Sequence, residues 1–280
     1  MNYQEIINAG SKILKLNNIK SYNLDSEILL SSALKLDRSQ LLLNLNKEIK
    51  NKEKKNFFNF VKRRSKNEPV AYITGYKEFW KYKFKVDRNV LIPRPDTETI
   101  IEQVLKELDI NSSKKILDVG TGSGCIIISI VKERKRCFGV GIDISKNAVK
   151  LAKYNAKIQH IDNRIKFLNS DIDNFYRDKY DLIISNPPYI ESFKINDLED
   201  DVKSHEPRVA LDGGVDGYKK IKLIIKKSSI LIKKRGKLFL ELGINQTRET
   251  LKILNSYGFY KNKVIKDLAN KNRCILSTKI

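Results

Sequence analysis

The stretch KILDVGTGSGCIIISI, residues 115–130, carries three instructions in a row. Ile116, Leu117 and Val119 make an apolar run of strand length, Gly120, Gly122 and Gly124 interrupt it, and the isoleucines from Ile126 onward suit a buried helix. Glycine tolerates positive φ and lets a ligand approach the main chain, and a helix beginning after Gly124 offers unpaired N–H groups to an anion. Strand, turn and helix then recur from about residue 93 to the end, with strands expected at 115–119, 137–142, 164–168, 180–184, 236–242, 260–266 and 273–278. Such alternation dictates an α/β fold with a parallel, doubly wound sheet and helices on both faces. Ligands of these sheets lie beyond the carboxyl ends of the strands, so the loops after Val119, Ile142, Leu168 and Ile184 become the places to look.

Residues 1–75 follow a different rhythm. Ile6, Ile7, Ile13 and Leu14, then Leu24, Ile28, Leu29 and Leu34, then Phe57, Phe58 and Val61 recur at helical spacing, and Asp25 and Asp37 stand where N-caps belong. A small helical bundle is expected there as a separate, substrate-recognising domain. Residues 76–92 alternate aromatic or apolar with charged side chains at Phe79, Tyr82, Phe84 and Val86, which predicts a β-hairpin linker. Residues 93–280 are left as the ligand-binding domain. Within them Val104, Leu105 and Leu108 read as the buried face of a helix.

Composition narrows the function classes. The 280 residues are 41% hydrophobic, enough for a sizeable core. No apolar run of about 18 residues is present to span a bilayer, and the first twenty residues alternate at helical spacing without a small-residue cleavage site, so no membrane partner and no secretory signal are expected. Cys125, Cys137 and Cys274 are odd in number and far apart, which suggests neither a disulfide framework nor a metal site and points to a reduced, cytoplasmic setting. His160 and His205 lack partners and read as surface or packing residues. The net charge of +22 raises nucleic acid as a partner. Lysines are spread through the chain, however, and the densest runs, 50–66 and 226–237, fall on helical spacing or at a helix-to-strand turn. Compositional drift explains them, and no specific nucleic acid is expected.

The stretch IISNPPYIES, residues 183–192, ends a strand in an unusual way. Pro187 and Pro188 cannot donate to a ladder, so nearby carbonyls are freed. Consider a methyl acceptor that is a planar –NH2 beside an sp2 carbon. Its lone pair is delocalised, and two acceptors gripping both N–H bonds, with an aromatic ring against the flat face, would orient it. Asn186 offers a side-chain carbonyl, Pro187 a main-chain carbonyl and Tyr189 a ring. A nitrogen that has gained a methyl becomes a strong acid and sheds its proton readily, so no general base is required. The other reading of the stretch is a strand end punctuated by turn residues.

The acids after the next strands complete the pattern. Asp143 in GIDIS follows the glycine loop by about 20 residues, where an acid meets ribose hydroxyls, and Asp171 in LNSDID ends the strand after that. The spacing Gly120-x-Gly122-x-Gly124 is tighter than the dinucleotide fingerprint and resembles that of class I S-adenosylmethionine-dependent methyltransferases. This resemblance implies a Rossmann-like domain. It sets the methionine carboxylate near Gly120, Thr121, Gly122, Ser123 and Gly124, the ribose on Asp143, and the adenine near Asp171 and Ile172. A nicotinamide dehydrogenase is the competing cofactor reading, and it leaves Asn-Pro-Pro-Tyr unexplained.

Asn-Pro-Pro-Tyr is shared by enzymes acting on adenine, on guanine in RNA and on protein glutamine. The flanking stretches EPVAYITGYKEFW (68–80), VLIPRPDTETIIE (90–102), HEPRVALDGGVDGYKKI (205–221), GKLFLELGINQ (236–246) and DLANKNR (267–273) together resemble the HemK/PrmC family of release factor glutamine-N5 methyltransferases. The likeness runs from about residue 65 to the end, and the helical first quarter agrees in size with that family's N-terminal domain. It implies methyl transfer to the glutamine amide of the Gly-Gly-Gln motif in class I peptide-chain release factors. On that basis Asn186, Pro187, Pro188 and Tyr189 bind the substrate glutamine, with Asn186 also lining the cofactor site. Arg94-Pro95-Asp96-Thr97-Glu98 favours the release-factor branch over sister enzymes that modify a ribosomal protein. The family usually carries glycine at the position of Asn270 and an acid at Asn272; asparagine tolerates positive φ, so the turn can survive. A nucleic-acid methyltransferase acting on an exocyclic amine of adenine or guanine is the alternative.

Overall fold

The computed structural model describes residues 1–267 and 269–280 and divides into two compact units. The first comprises Met1–Tyr76 together with Glu199–His205. Its helices are Tyr3–Leu16, Tyr22–Leu34, Arg38–Leu42, Asn51–Arg64 and Val70–Thr74, with Asp200–His205 joining them from later in the chain. Asn2 opens the first helix with a reciprocal cap: its side chain accepts from the Glu5 N–H at 2.9 Å, and Glu5 accepts from the Asn2 N–H at 3.1 Å. Ile6, Leu14, Leu29, Leu30, Leu41, Phe57 and Val61 form the core. Gly10 lets the helices pack closely, because a Cβ there would lie 2.4 Å from the Phe57 ring and 2.6 Å from Ser26 Oγ.

Two expectations for this unit change. Ile13 and Leu24 lie at the surface. Asp25 is not a cap, since the helix has already begun at Tyr22. It is buried inside the bundle, where it accepts a 2.7 Å bond from Arg64 Nε and a 2.8 Å bond from the Ser21 hydroxyl. The Arg64 partner lies 39 residues away, so no local pattern reveals the pair. Asp37 does stand at a helix start, directly before Arg38–Leu42, with its N–H donating to Gln40 at 3.0 Å.

The second unit comprises Lys77–Leu198 and Glu206–Ile280. The hairpin pairs β1 (Tyr76–Phe79) with β2 (Tyr82–Lys85). Seven further strands, counted among the described residues, are β3 (Lys115–Val119), β4 (Phe138–Asp143), β5 (Ile165–Asn169), β6 (Tyr180–Ser185), β7 (Ile232–Glu241), β8 (Phe259–Lys266) and β9 (Asn272–Lys279), in the order β5-β4-β3-β6-β7-β9-β8. The first five named are parallel neighbours, whereas β9 runs antiparallel to both β7 and β8. The sheet is thus mostly parallel, with β9 the antiparallel exception. The link between Lys266 and Asn272 is too short for a crossover, and a short link can join only antiparallel neighbours. Asn270 adopts φ +61° in this link, the left-handed conformation that its glycine-like role demands. Leu268, within the same stretch, lies outside the described residues.

Helices 98–107, 125–133 and 146–158 cover one face of the sheet, packing through Ile100, Val104, Ile127 and Val149; helices 219–231 and 247–256 cover the other through Ile221, Ile225 and Leu254. The sheet is therefore doubly wound. Strand order reverses between β3 and β6, and the crevice opens at their carboxyl ends.

The buried Asp25–Arg64 pair tests the helical unit. Asp25→Ala should cost about 3–5 kcal/mol of local stability by stranding a buried guanidinium, and Asp25→Leu combined with Arg64→Met should recover most of it. Hydrogen exchange across residues 3–64 measures both, and a loss below about 1 kcal/mol in the single variant would contradict the account.

Candidate active site at the carboxyl edge of the sheet

A cavity of about 160 Å³ lies at the strand-order reversal. Gly120 and Gly122 adopt φ +74° and +54°, and no heavy atom lies within 4 Å of a Cβ built on Gly120. A side chain there would fill the cavity rather than the protein. Gly120, Thr121, Gly122 and Ser123 line the cavity; Gly124 does not. Its φ of +80° starts helix 125–133, and a Cβ would press on Ile128, Ala152 and Phe167 at 3.0–3.3 Å, so this glycine closes the helix onto the sheet. The loop is held from behind by Asn155, which is fully buried and donates to the carbonyls of Ser123 at 2.8 Å and Lys85 at 2.9 Å.

Asp143 lines the cavity from the end of β4. It accepts from the N–H groups of Gly122 and Ser145, each at 2.9 Å. Burial raises its pKa, and those two N–H bonds oppose the rise. Each carboxylate oxygen keeps a further lone pair, so ribose hydroxyls can still be accepted. Asp171 and Ile172 also line the cavity; Asp171 fixes the turn Ile172–Asn174 by accepting from the Asp173 N–H at 3.0 Å. Open glycine backbone, an acid at the second strand and an apolar wall at Ile172 fit S-adenosylmethionine, whose carboxylate, ribose and flat base ask for those three surfaces.

Asn186, Pro187 and Pro188 line the other end of the cavity. Asn186 donates through Nδ2 to Thr97 Oγ1 at 3.2 Å, which leaves its Oδ1 without a donor among the described residues. No main-chain N–H among them donates to the Pro187 carbonyl. Tyr189 departs from expectation. It is not among the lining residues: its hydroxyl donates to Glu241 Oε1 at 3.4 Å, and its ring lies 3.0 Å from where a Cβ on Gly243 would sit. The prolines turn the chain so that the ring packs inward. Gly213 and Gly217 give its main chain room, since Cβ atoms there would approach Tyr189 Cα at 2.8 Å and its carbonyl at 2.7 Å. Gln246 Nε2 then fastens the turn, donating to the carbonyls of Tyr189 at 3.1 Å and Gly217 at 3.2 Å.

Several residues of the site escaped the sequence reading. Glu206 accepts from the Ile92 N–H at 3.1 Å and pairs with Arg94, a cavity-lining residue. Asp118 is buried beneath the glycine loop, accepts from the Thr121 hydroxyl at 2.7 Å, and has its pKa pushed up to about 7, chiefly by burial. Glu241 is likewise buried and raised to about 7. The available signal was a carboxylate placed amid the leucines and isoleucines of a strand, as in ILDV and FLELG. His160 and His205 are not among the lining residues.

Replacing Asp143 with Ala should weaken S-adenosylmethionine binding by about 1.5–3 kcal/mol, the worth of hydrogen bonds to a charged group. Titration calorimetry checks this, and an unchanged affinity would remove Asp143 from the cofactor site.

Residues 5–75 match the family described as the PrmC N-terminal domain, and residues 96–200 match the methyltransferase small domain. The release factor glutamine methyltransferase of Clostridium acetobutylicum is 38% identical over 100% of this chain and 99% of its own length. That of Caulobacter vibrioides is 33% identical over 97% of this chain and 94% of its own length. Among solved structures, a methyltransferase from Pyrococcus furiosus superposes with a TM-score of 0.55 at 14% identity, covering 79% of this chain and 98% of that one. A ribosomal protein L11 methylase from Lactobacillus delbrueckii subsp. bulgaricus gives 0.52 at 16% identity, covering 73% and 91%; both likenesses concern the fold alone. Full-length identity above 30% decides the matter: this chain belongs to the release factor glutamine methyltransferase family.

Proposed function

We propose that the protein transfers a methyl group from S-adenosylmethionine to the side-chain amide nitrogen of the glutamine in the Gly-Gly-Gln motif of class I peptide-chain release factors. The observation that carries this reading is the pair of acceptors at the end of β6. Asn186 is held by its NH2 end, so its Oδ1 is left for the cavity, and the Pro187 carbonyl is free beside it. Two acceptors match the two N–H bonds of a primary amide.

S-adenosylmethionine, when bound, supplies an electrophilic methyl on a sulfonium. The protein's contribution is alignment. An amide nitrogen is a poor nucleophile because its lone pair is shared with the carbonyl, and fixing both N–H bonds removes the rotational search for a productive approach. The proton lost from the methylated nitrogen needs no assigned base, since the cationic nitrogen is strongly acidic. Pro187 and Pro188 wall the amide end, and Asp143 with Gly120–Ser123 and Ile172 hold the cofactor end.

The helical unit is assigned to gripping the release factor. A release factor partner implies the cytoplasm as the working compartment, and no described helix is long and apolar enough to cross a membrane. The charge of +22 is read as compositional, without a specific nucleic-acid partner.

Purified release factor, stripped RNA and DNA offered in parallel with labelled S-adenosylmethionine test the proposal. Tandem mass spectrometry should find one added methyl on the Gly-Gly-Gln glutamine, and RNA binding should fade as salt rises to physiological strength. Label in RNA or DNA with none in the release factor would establish the nucleic-acid alternative instead.

A further inference from the structure

In the lysine-dense run 226–237, Lys226 is exposed, as a compositional excess of lysine leads one to expect, whereas Lys227 is only 5% exposed. The Lys227 ammonium lies against the ring of Tyr176, 4.2 Å from its centroid. It donates to the Asp173 carbonyl and, at 2.6 Å, to the Tyr176 hydroxyl, and it pairs with the Asp173 carboxylate at 3.2 Å. An ammonium has three N–H bonds, and here Asp173 and Tyr176 supply an acceptor for each. Holding so long a side chain in one rotamer costs entropy that a solvated lysine keeps.

What these contacts hold is one wall of the cavity. Asp173 and Tyr176 lie between β5 and β6, directly after Asp171 and Ile172, which line the cavity. Residues 175–179 form neither helix nor strand, so no ladder holds this segment, and it is anchored by the buried Phe175 ring and the Lys227 head. The Asp173 N–H donates to Asp171 Oδ1 at 3.0 Å, and Asp171 Oδ2 has no donor among the described residues. Lys227 therefore fixes Asp173, Asp173 pins one oxygen of Asp171, and the other oxygen stays available to a ligand. Lys220 and Ile224, on the same side of helix 219–231 at helical spacing from Lys227, also line the cavity. One helix thus supplies part of the wall and sets the turn packed beside it.

We propose that Lys227 is a positioning residue for the cofactor: by latching Asp173 and Tyr176 to helix 219–231, it presents the Asp171 carboxylate to the adenine. This rests on placing the adenine at Asp171 and Ile172, and it gives that placement a chemical selectivity. The 6-amino group of adenine donates to a carboxylate, whereas hypoxanthine carries a carbonyl at that position, and two oxygens would meet lone pair against lone pair. A loosened turn lets Asp171 swing away, so the gain from adenine is lost and the penalty on hypoxanthine eases.

Calorimetry of the full chain with S-adenosylhomocysteine and with S-inosylhomocysteine, without release factor, reads that selectivity independently of the methyl acceptor. Lys227→Met, which keeps the apolar stem and removes the donors, should lower the preference for the adenine compound about tenfold, as expected for a lost hydrogen bond to a charged group. Asp173→Ala combined with Tyr176→Phe removes two acceptors on side chains more than half exposed, so the fold is kept, and the preference should fall about threefold. An unchanged preference in the double variant would overturn the proposal whether or not Lys227→Met folds. Equal weakening of both compounds in Lys227→Met, the mark of a merely structural role, would overturn it too. Asp171→Ala separates the proposal from its premise: it should abolish the preference, and a preference kept in Asp171→Ala would overturn the placement of the adenine and the proposal with it.

Discussion

Two prolines at the end of a central strand set the terms for everything around them. β6 lies between β3 and β7, where an ordinary strand would pair on both sides to its last residue. Pro187 and Pro188 carry no N–H, so the ladder stops at Ser185 and the chain must leave the sheet at the strand-order reversal. An exit there would be loose unless the surroundings fixed it. Ser185 donates to the Val119 carbonyl at 2.7 Å, the Ile190 N–H donates to the Leu211 carbonyl and the Gly213 N–H to the Ile190 carbonyl, and Gln246 closes the turn from the far side. The glycines at 213, 217 and 243 exist in this arrangement because a methyl group at any of them would collide with Tyr189 or its immediate neighbours.

The electrostatic design follows from the same burial. Asp118 under the glycine loop and Glu241 beside the turn are carboxyls in apolar strands, and removal from water raises both to about 7. Each meets a hydroxyl rather than a dedicated cation: Thr121 for Asp118 and Tyr189 for Glu241. Hydroxyls can rotate, so these contacts fix orientation at small electrostatic cost, whereas a buried ion pair would commit the site to one charge state.

Much of the fold was legible because strand and helix periods are local. The expected strands from 115–119 through 180–184 agree with β3 to β6 within a residue at each end. What local patterns could not carry was pairing at a distance. The direction of β9 depends on the short link after Lys266, and the role of Asp25 depends on an arginine 39 residues away. In the site, the residue types along the glycine loop, at Asp143 and in Asn-Pro-Pro announced themselves by chemistry and position. The sequence makes Tyr189 a ring beside the substrate because it follows the prolines, yet the direction of that ring is set by Glu241 at the end of β7 and by Gly243 just after it. Gly124 shows the converse: a motif residue whose work is packing against Ile128 and Phe167.

The central claim is that Asn186 orients the reacting amide, and its most direct test separates turnover from cofactor binding in one variant. Asn186→Ala should slow single-turnover methylation of the Gly-Gly-Gln glutamine by roughly 100- to 1,000-fold, as expected for loss of a positioned hydrogen bond at a reacting centre, while S-adenosylmethionine affinity falls far less. Near-normal single-turnover methylation by a folded Asn186→Ala enzyme would contradict the account and leave the two prolines as strand punctuation.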